Sequence, residues 1–227
     1  MLKPRNFSAV IFDMDGLVLD SEAAYFIAWQ QAAATLGYSL SDEFCLSMSG
    51  FNGQDIKQKL LAECGDDFDL QEFNQIASQI WRTHIDQHGI PVKHGFHDLL
   101  AFIIERELPY CLATNSRRAN ALECLEKAGL TNVFSTIISR DDVAQGKPAP
   151  DIFLIAAQRL QVPIQDCLVL EDSHTGIVAA HTAGALTVFV PSVVPANPLT
   201  VELCATMMPD LITVLQTLMY NFSHNQH

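Results

Sequence analysis

The sequence predicts an α/β protein: a doubly wound parallel sheet interrupted after its first strand by an all-helical insert. Three observations predict it. From Gly95 onward, short apolar runs alternate with helical patterns, the signature of βαβ units. Before that, roughly 70 residues read as helix after helix. Finally, carboxylates, hydroxyls and a lysine recur just past the apolar runs, where the carboxyl ends of parallel strands meet ligands.

The elements follow in order. Ala9-Val10-Ile11 is a short buried strand running into Phe12-Asp13-Met14-Asp15-Gly16, with Gly16 as the breaker. Phe26, Trp29, Ala33 and Leu36 recur at helical spacing, and Gly37 ends that helix. A second helix is predicted from Gln54 to Cys64 and a third from about Leu70 to His88, with Asp66-Asp67 as the polar loop between them. Gly89-Ile-Pro91 closes the stretch. Helices over Phe96–Glu107, Arg117–Ala128, Asp151–Leu160 and Thr175–Ala183 then alternate with strands over Tyr110–Thr114, Thr136–Ser139, Cys167–Leu170 and Leu186–Val190. A proline-rich loop, Pro191–Pro198, precedes a last helix near Leu211–Leu218. The economical division is an α/β core of residues 1–18 and 91–227 and a helical cap of residues 19–90. A cap entering just behind Asp13 and Asp15 overhangs the strand ends, the position of a lid.

Composition narrows the function. A chain of 227 residues, 49% hydrophobic and 17% charged, is that of an ordinary globular protein with a sizeable core. Its net charge of −13 disfavours nucleic acid and anionic membrane surfaces as partners. A small anionic substrate needs only a few locally converging cations. The longest apolar runs, such as Leu99–Ile104, are too short to span a bilayer, and the N-terminal residues carry no secretory pattern. Six cysteines without a C-x-x-C pair fit a reducing cytoplasm. No coiled-coil heptad appears, so a monomer is expected.

The candidate chemistry lies at four strand ends. Asp13 and Asp15 follow the first strand; Thr114-Asn115-Ser116 the second; Asp141-Asp142 and then Gly146-Lys147-Pro148 the third; Glu171-Asp172-Ser173 the fourth. Alone, the first pair also fits a polar strand end opening a turn. Two close carboxylates stay ionised beside a cation or strong donors, and a hard oxygen-seeking ion such as Mg²⁺ suits them. The set as a whole suits phosphoryl transfer. Mg²⁺ held by Asp13 and Asp172, with Lys147 as a point charge, offsets the repulsion of a phosphate. Thr114 and the backbone amides after it can hold its oxygens. Asp13 can attack phosphorus to give an aspartyl-phosphate, and Asp15 can protonate the leaving group and then deprotonate water.

Asp13-Met-Asp-Gly-Leu-Val-Leu-Asp-Ser-Glu22, Thr114, Lys147 in Gly-Lys-Pro-Ala-Pro, and Glu171-Asp172-Ser-His-Thr-Gly176 together resemble the four motifs of the haloacid dehalogenase superfamily, in its β-phosphoglucomutase-like and small-metabolite phosphatase branch. The resemblance covers nearly the whole chain. It implies a Rossmann-like core with a helical cap, Asp13 as nucleophile, Asp15 as general acid/base, and Mg²⁺ at Asp13, the Asp15 backbone carbonyl and Asp172 with Glu171 nearby. The second aspartate argues against dehalogenation. Two departures weigh against the mutase. Tyr25 stands where the mutase has a cap histidine, and the segment Gly50-Phe51-Asn52-Gly53-Gln54 has no arginine to grip a second phosphate.

The expectation is therefore a Mg²⁺-dependent phosphatase acting on a small phosphorylated metabolite such as a sugar phosphate, with a phosphosugar mutase as the alternative. Asn115, Ser116 and Arg117 are candidate phosphate contacts, while Arg117 and Arg118 also fit an exposed first helical turn. Tyr25, Phe51 and Asn52 are candidate pocket residues or cap packing. A phospho-receiver or non-catalytic binding module shares the strand-end carboxylates and lysine, but receivers are about half as long and lack the insert. His84 and His88, four apart with His94 and His97 downstream, read as a solvated face rather than a zinc site. His174 beside the fourth motif either reaches the metal surroundings or caps a helix.

Overall fold

A six-stranded, wholly parallel sheet runs in the order β3-β2-β1-β4-β5-β6. In the computed structural model, residues 7–48, 51, 53–192, 196 and 198–224 are described, Gln54 by its backbone alone. The strands are β1 (Ala9–Phe12), β2 (Tyr110–Ala113), β3 (Ile137–Ile138), β4 (Cys167–Glu171), β5 (Leu186–Phe189) and β6 (Thr206–Met207). Four helices, α1 (Glu22–Thr35), α2 (Asp42–Leu46), α3 (Gly53–Cys64) and α4 (Leu70–His88), are inserted between β1 and α5 (Phe96–Glu105). The remaining helices are α6 (Arg118–Lys127), α7 (Asp151–Leu160), α8 (His174–Ala183), α9 (Pro198–Leu203) and α10 (Leu211–His224).

The sheet is doubly wound because its strands are apolar on both faces. Val10 and Phe12 join Leu168, Leu170 and Val188 in a layer under α5, α6 and α10. Ala9 and Ile11, pointing the other way, join Cys111, Val169 and the apolar faces of α7 and α8. The insert has a third cluster of its own, with Ala32, Cys45, Leu60, Phe68 and Phe73. Its α1 and α4 also send Ala24, Ala28, Trp81 and Ile85 into the first layer, so the insert is rooted in the core packing.

β1 pairs with β2 on one side and β4 on the other. Chain order therefore reverses at β1/β4, which opens a crevice beyond their carboxyl ends. Elements the sequence reading lacks are α2, opened by Ser41 accepting from Phe44 N at 3.1 Å, and the short α9 and β6. The last helix also runs on to His224.

Candidate active site

Register delivers the carboxylates. Phe12 pairs with Leu170 and Asp13 N donates to Leu170 O at 3.1 Å, so Asp13 leaves β1 beside Glu171 at the end of β4. Asp172 follows. Oxygens of Asp13, Glu171 and Asp172 lie within 4.8 Å of one another, and all three residues are buried. Lys147 is buried too, and its Nζ donates to the Asp13 carboxylate, to Glu171 Oε1 at 2.6 Å and to Ala113 O at 3.0 Å. The remaining Glu171 oxygen, Oε2, accepts from Ser173 N and Oγ, each at 2.9 Å.

Two glycines let these groups approach. Gly16 has φ +83°, left-handed backbone that a side chain rarely adopts, and a Cβ there would overlap the Asp172 carboxylate. A Cβ on Gly176, in the first turn of α8, would overlap the Glu171 carboxylate.

The residues after β2 act mostly as struts. Asn115 Oδ1 accepts from Lys147 N at 2.8 Å and its Nδ2 donates to Lys147 O at 3.2 Å, which pins the loop that carries the lysine. Ser116 Oγ donates to Asp15 Oδ2 at 2.9 Å, and Ser21 Oγ donates to Asp15 Oδ1 at 2.7 Å. The Asp15 carboxylate thus stands apart from the Asp13–Glu171–Asp172 trio, tied to the start of α1 and to the loop after β2. Buried Thr114 accepts from Ser116 N at 3.0 Å.

Asp13, Asp15, Thr114, Asn115, Ser116, Lys147 and Asp172 all line one cavity of about 670 Å³. Arg117 is exposed at the N-cap of α6 and is not among its lining residues. Arg118 is committed elsewhere, donating to Ile137 O at 2.9 Å and pairing with Asp142 at 2.9 Å. Arg140, which the sequence reading did not single out, does line the cavity, with its guanidinium braced on Val143 O at 2.8 Å. Its signal was a cation directly after the third strand. Ser21 lay inside the first motif without an assigned role. Tyr25 and Phe51 face the cavity from the insert; Gly50 and Asn52 lie outside the described residues.

His174 Nδ1 meets Thr200 Oγ1 at 2.8 Å and ties α8 to α9. His84 and His88 touch ring to ring at 4.7 Å, and no histidine belongs to a metal-type cluster among the described residues.

Burial governs the electrostatics. It raises Asp13 to about 8, against the lowering pull of Lys147 and with Glu171 adding to the rise. Burial and then the charges of Glu171 and Asp13 push Asp172 well above the ordinary carboxylate range. Asp15 is raised by desolvation, opposed by its hydrogen bonds from Ser21 and Ser116. For Lys147 burial acts downward, but Asp13 and Glu171 outweigh it and hold the ammonium charged.

Three ionised carboxylates and one ammonium leave a residual charge of about minus two. An all-oxygen donor set in that state fits one hard divalent cation, and Mg²⁺ is such an ion. Glu171 has both oxygens engaged by Lys147 and Ser173, so Asp13 and Asp172 have the oxygens better placed to ligate directly.

A parallel sheet with buried carboxylates and a lysine at its switch point, overhung by helices inserted after β1, is the arrangement of a haloacid dehalogenase-type hydrolase. The chain belongs to the haloacid dehalogenase-like hydrolase family, whose sequence model matches residues 10–190. It is 32% identical over 193 residues to the Drosophila melanogaster protein named "Probable pseudouridine-5'-phosphatase", covering 82% of this chain and 83% of the relative. It is 29% identical to the β-phosphoglucomutase of Bacillus subtilis, over 79% of this chain and 81% of that one. A solved haloacid dehalogenase family hydrolase from Deinococcus radiodurans, with bound phosphate and sodium, superposes with a TM-score of 0.78 at 26% identity, covering 96% of this chain and 97% of the other. The relatives span a phosphatase and mutase branch, and the chain is supported as a hydrolase of phosphate esters.

Proposed function

We propose that the protein is a Mg²⁺-dependent phosphatase that hydrolyses a small phosphorylated metabolite, a sugar phosphate or a derivative of one, through an aspartyl-phosphate. The observation that carries the reading is the buried Asp13–Lys147–Glu171–Asp172 cluster opening onto a cavity that also holds Asp15.

Asp13 is the nucleophile. Its carboxylate oxygen bonds to phosphorus while the phosphorus–oxygen ester bond breaks, and the departing oxygen takes a proton from Asp15. Water then attacks phosphorus, Asp15 accepts its proton, and the bond to Asp13 breaks to release inorganic phosphate. Upward-shifted Asp15 suits the donor half of this cycle. Mg²⁺ at Asp13 and Asp172, when bound, offsets the charge of the phosphoryl group. Lys147 adds a fixed positive charge, and Thr114 with the Asn115 amide after it serves the phosphoryl oxygens. Residues 19–90 serve as the cap and residues 1–18 and 91–227 as the core. Arg140, which lines the same cavity, is a cation available to a distal anionic group.

The mutase reading is the weaker one, because the insert supplies no cation to the cavity among its described lining residues. Phosphate release from p-nitrophenyl phosphate and a sugar-phosphate panel should require Mg²⁺ and vanish in Asp13→Asn. Full activity in that variant sinks the nucleophile assignment. Isomerised sugar phosphate without free phosphate favours the mutase, and a long-lived phosphoaspartate without turnover favours a receiver.

A further inference from the structure

The part of the cavity wall that α1 supplies is largely aromatic: Tyr25, packed at the edge of the core cluster, and Phe26 and Trp29, packed at the edge of the insert's own cluster, all stay partly exposed to the cavity. Trp29 stands four residues past Tyr25 and three past Phe26, so the three share one helix face. Trp29 lies 6.0 Å, centroid to centroid, from Tyr25 and equally 6.0 Å from Phe26. All three rings are half-buried and line the cavity, with Phe51 and Met48 beside them. The fully buried stripe of α1 is a different one, made of Ala24, Ala28 and Ala32. Behind the wall, Trp81 stacks on Tyr25 at 5.2 Å and 12° and fixes that ring's plane.

Charge points the same way. Of the insert's described lining residues the one charged side chain is acidic, Glu22. Residues 49, 50, 52 and 54 are Ser, Gly, Asn and Gln, so they add no cation. Lys59 is held by Ser47 O at 2.9 Å and lies over the Phe51 ring at 4.7 Å. A second phosphate would meet aromatic faces and a carboxylate here; a flat, uncharged ring would meet faces it can stack on.

The distance suits such a ligand. Ser21, bonded to Asp15, starts α1, and Tyr25 and Trp29 follow about 6 and 12 Å along the axis. The rings therefore stand one to two helical turns from the carboxylate assigned to the leaving oxygen, room for a sugar between phosphate and ring.

We propose that the substrate is a phosphomonoester whose leaving group carries a flat unsaturated heterocycle, a nucleobase-like ring on a sugar, stacked on the Tyr25–Phe26–Trp29 wall. The proposal rests on the phosphatase reading for where the phosphate sits.

The test compares adenosine 5′-monophosphate, uridine 5′-monophosphate and ribose 5-phosphate, which share a pentose phosphate and differ in the ring. Binding to Asp13→Asn with Mg²⁺ is measured by calorimetry, and phosphate release is measured with the unmodified protein. At least one nucleotide should bind about tenfold or more tighter than ribose 5-phosphate. Trp29→Ala should remove most of that preference while leaving ribose 5-phosphate binding in place, with a lowered melting temperature because Trp29 also packs on the insert's cluster; Trp29→Leu, which keeps apolar bulk, serves if the alanine variant does not fold. Equal binding of all three, tightest binding of ribose 5-phosphate, or binding of none overturns the inference, whatever is hydrolysed. Ring-selective binding without phosphate release upholds the wall and overturns the hydrolase reading instead.

Discussion

The Ser21 hydroxyl donates to Asp15 Oδ1 at 2.7 Å from the N-cap position of α1, where a serine ordinarily accepts from the helix's own amides. No side-chain cap bond is made there. The N-cap residue of the insert's first helix is thus spent on orienting a carboxylate, not on capping that helix, and that links the seating of α1 to the acid/base group.

Ser21→Ala should therefore alter chemistry more than folding. The Ser21 hydrogen bond holds Asp15 below where burial alone would put it, so its loss moves the Asp15 pKa further up. With Asp15 acting as the acid, the alkaline limb of kcat/KM shifts to higher pH. The turnover number falls by about tenfold or less, well short of losing the group itself. A pH–rate profile that is unchanged in this variant removes Ser21 from the positioning role.

Lys147 is the second test. Its Nζ joins buried Asp13 and Glu171, with 3% of its own side chain exposed and none of the glutamate's. Lys147→Met leaves those carboxylates buried without their counter-charge, which costs about 3–5 kcal/mol. Urea denaturation near neutral pH in chelator should show that loss. A change under about 1 kcal/mol means that the pair is relaxed by water and is not a buried ion pair.

Much of this site was legible because its residues announce themselves locally. Asp13, Thr114 and Glu171 each end an apolar run, and the end of a buried strand can be read from the run alone. What the side chains there do was less legible. Asn115 and Ser116 look like phosphate donors beside Thr114, but their partners, Lys147 and Asp15, are 32 and 101 residues away in sequence. Arg117 and Arg140 are equivalent as cations in the sequence; loop geometry alone turns Arg140 to the cavity. β6 is two residues long and exists through its register with Val188 and Phe189, so no periodic pattern marks it.

Gly176 offers a steric test. Its added Cβ would overlap the Glu171 carboxylate, which Lys147 and Ser173 hold and which has no exposed surface to retreat into. Gly176→Ala should destabilise by about 1–3 kcal/mol and weaken Mg²⁺ binding at the neighbouring Asp172. Gly53→Ala, whose Cβ meets nothing within 4 Å, is the control and should leave the melting temperature level or slightly raised.

The pH dependence of metal binding follows from Asp13. Folding raises this carboxyl from 3.8 to about 8, chiefly by burial. A carboxyl raised by folding favours the fold while protonated: that contribution is full below the unfolded value and is lost as the pH climbs through the folded one. Asp172 is raised as well and adds in the same direction. In chelator, the contribution of these groups should therefore weaken from the weakly acidic range toward pH values above about 8. Mg²⁺ needs the deprotonated oxygens, so its affinity should rise over the same window by up to about tenfold per pH unit for each proton displaced. Melting temperatures with and without excess MgCl₂ at about pH 5.5, 7 and 8.5 read both effects, and the Mg²⁺ increment should grow with pH. Asp172→Asn should abolish most of it. An increment that is flat with pH, or larger at the acid end, means that the ion is held elsewhere than by these buried carboxylates.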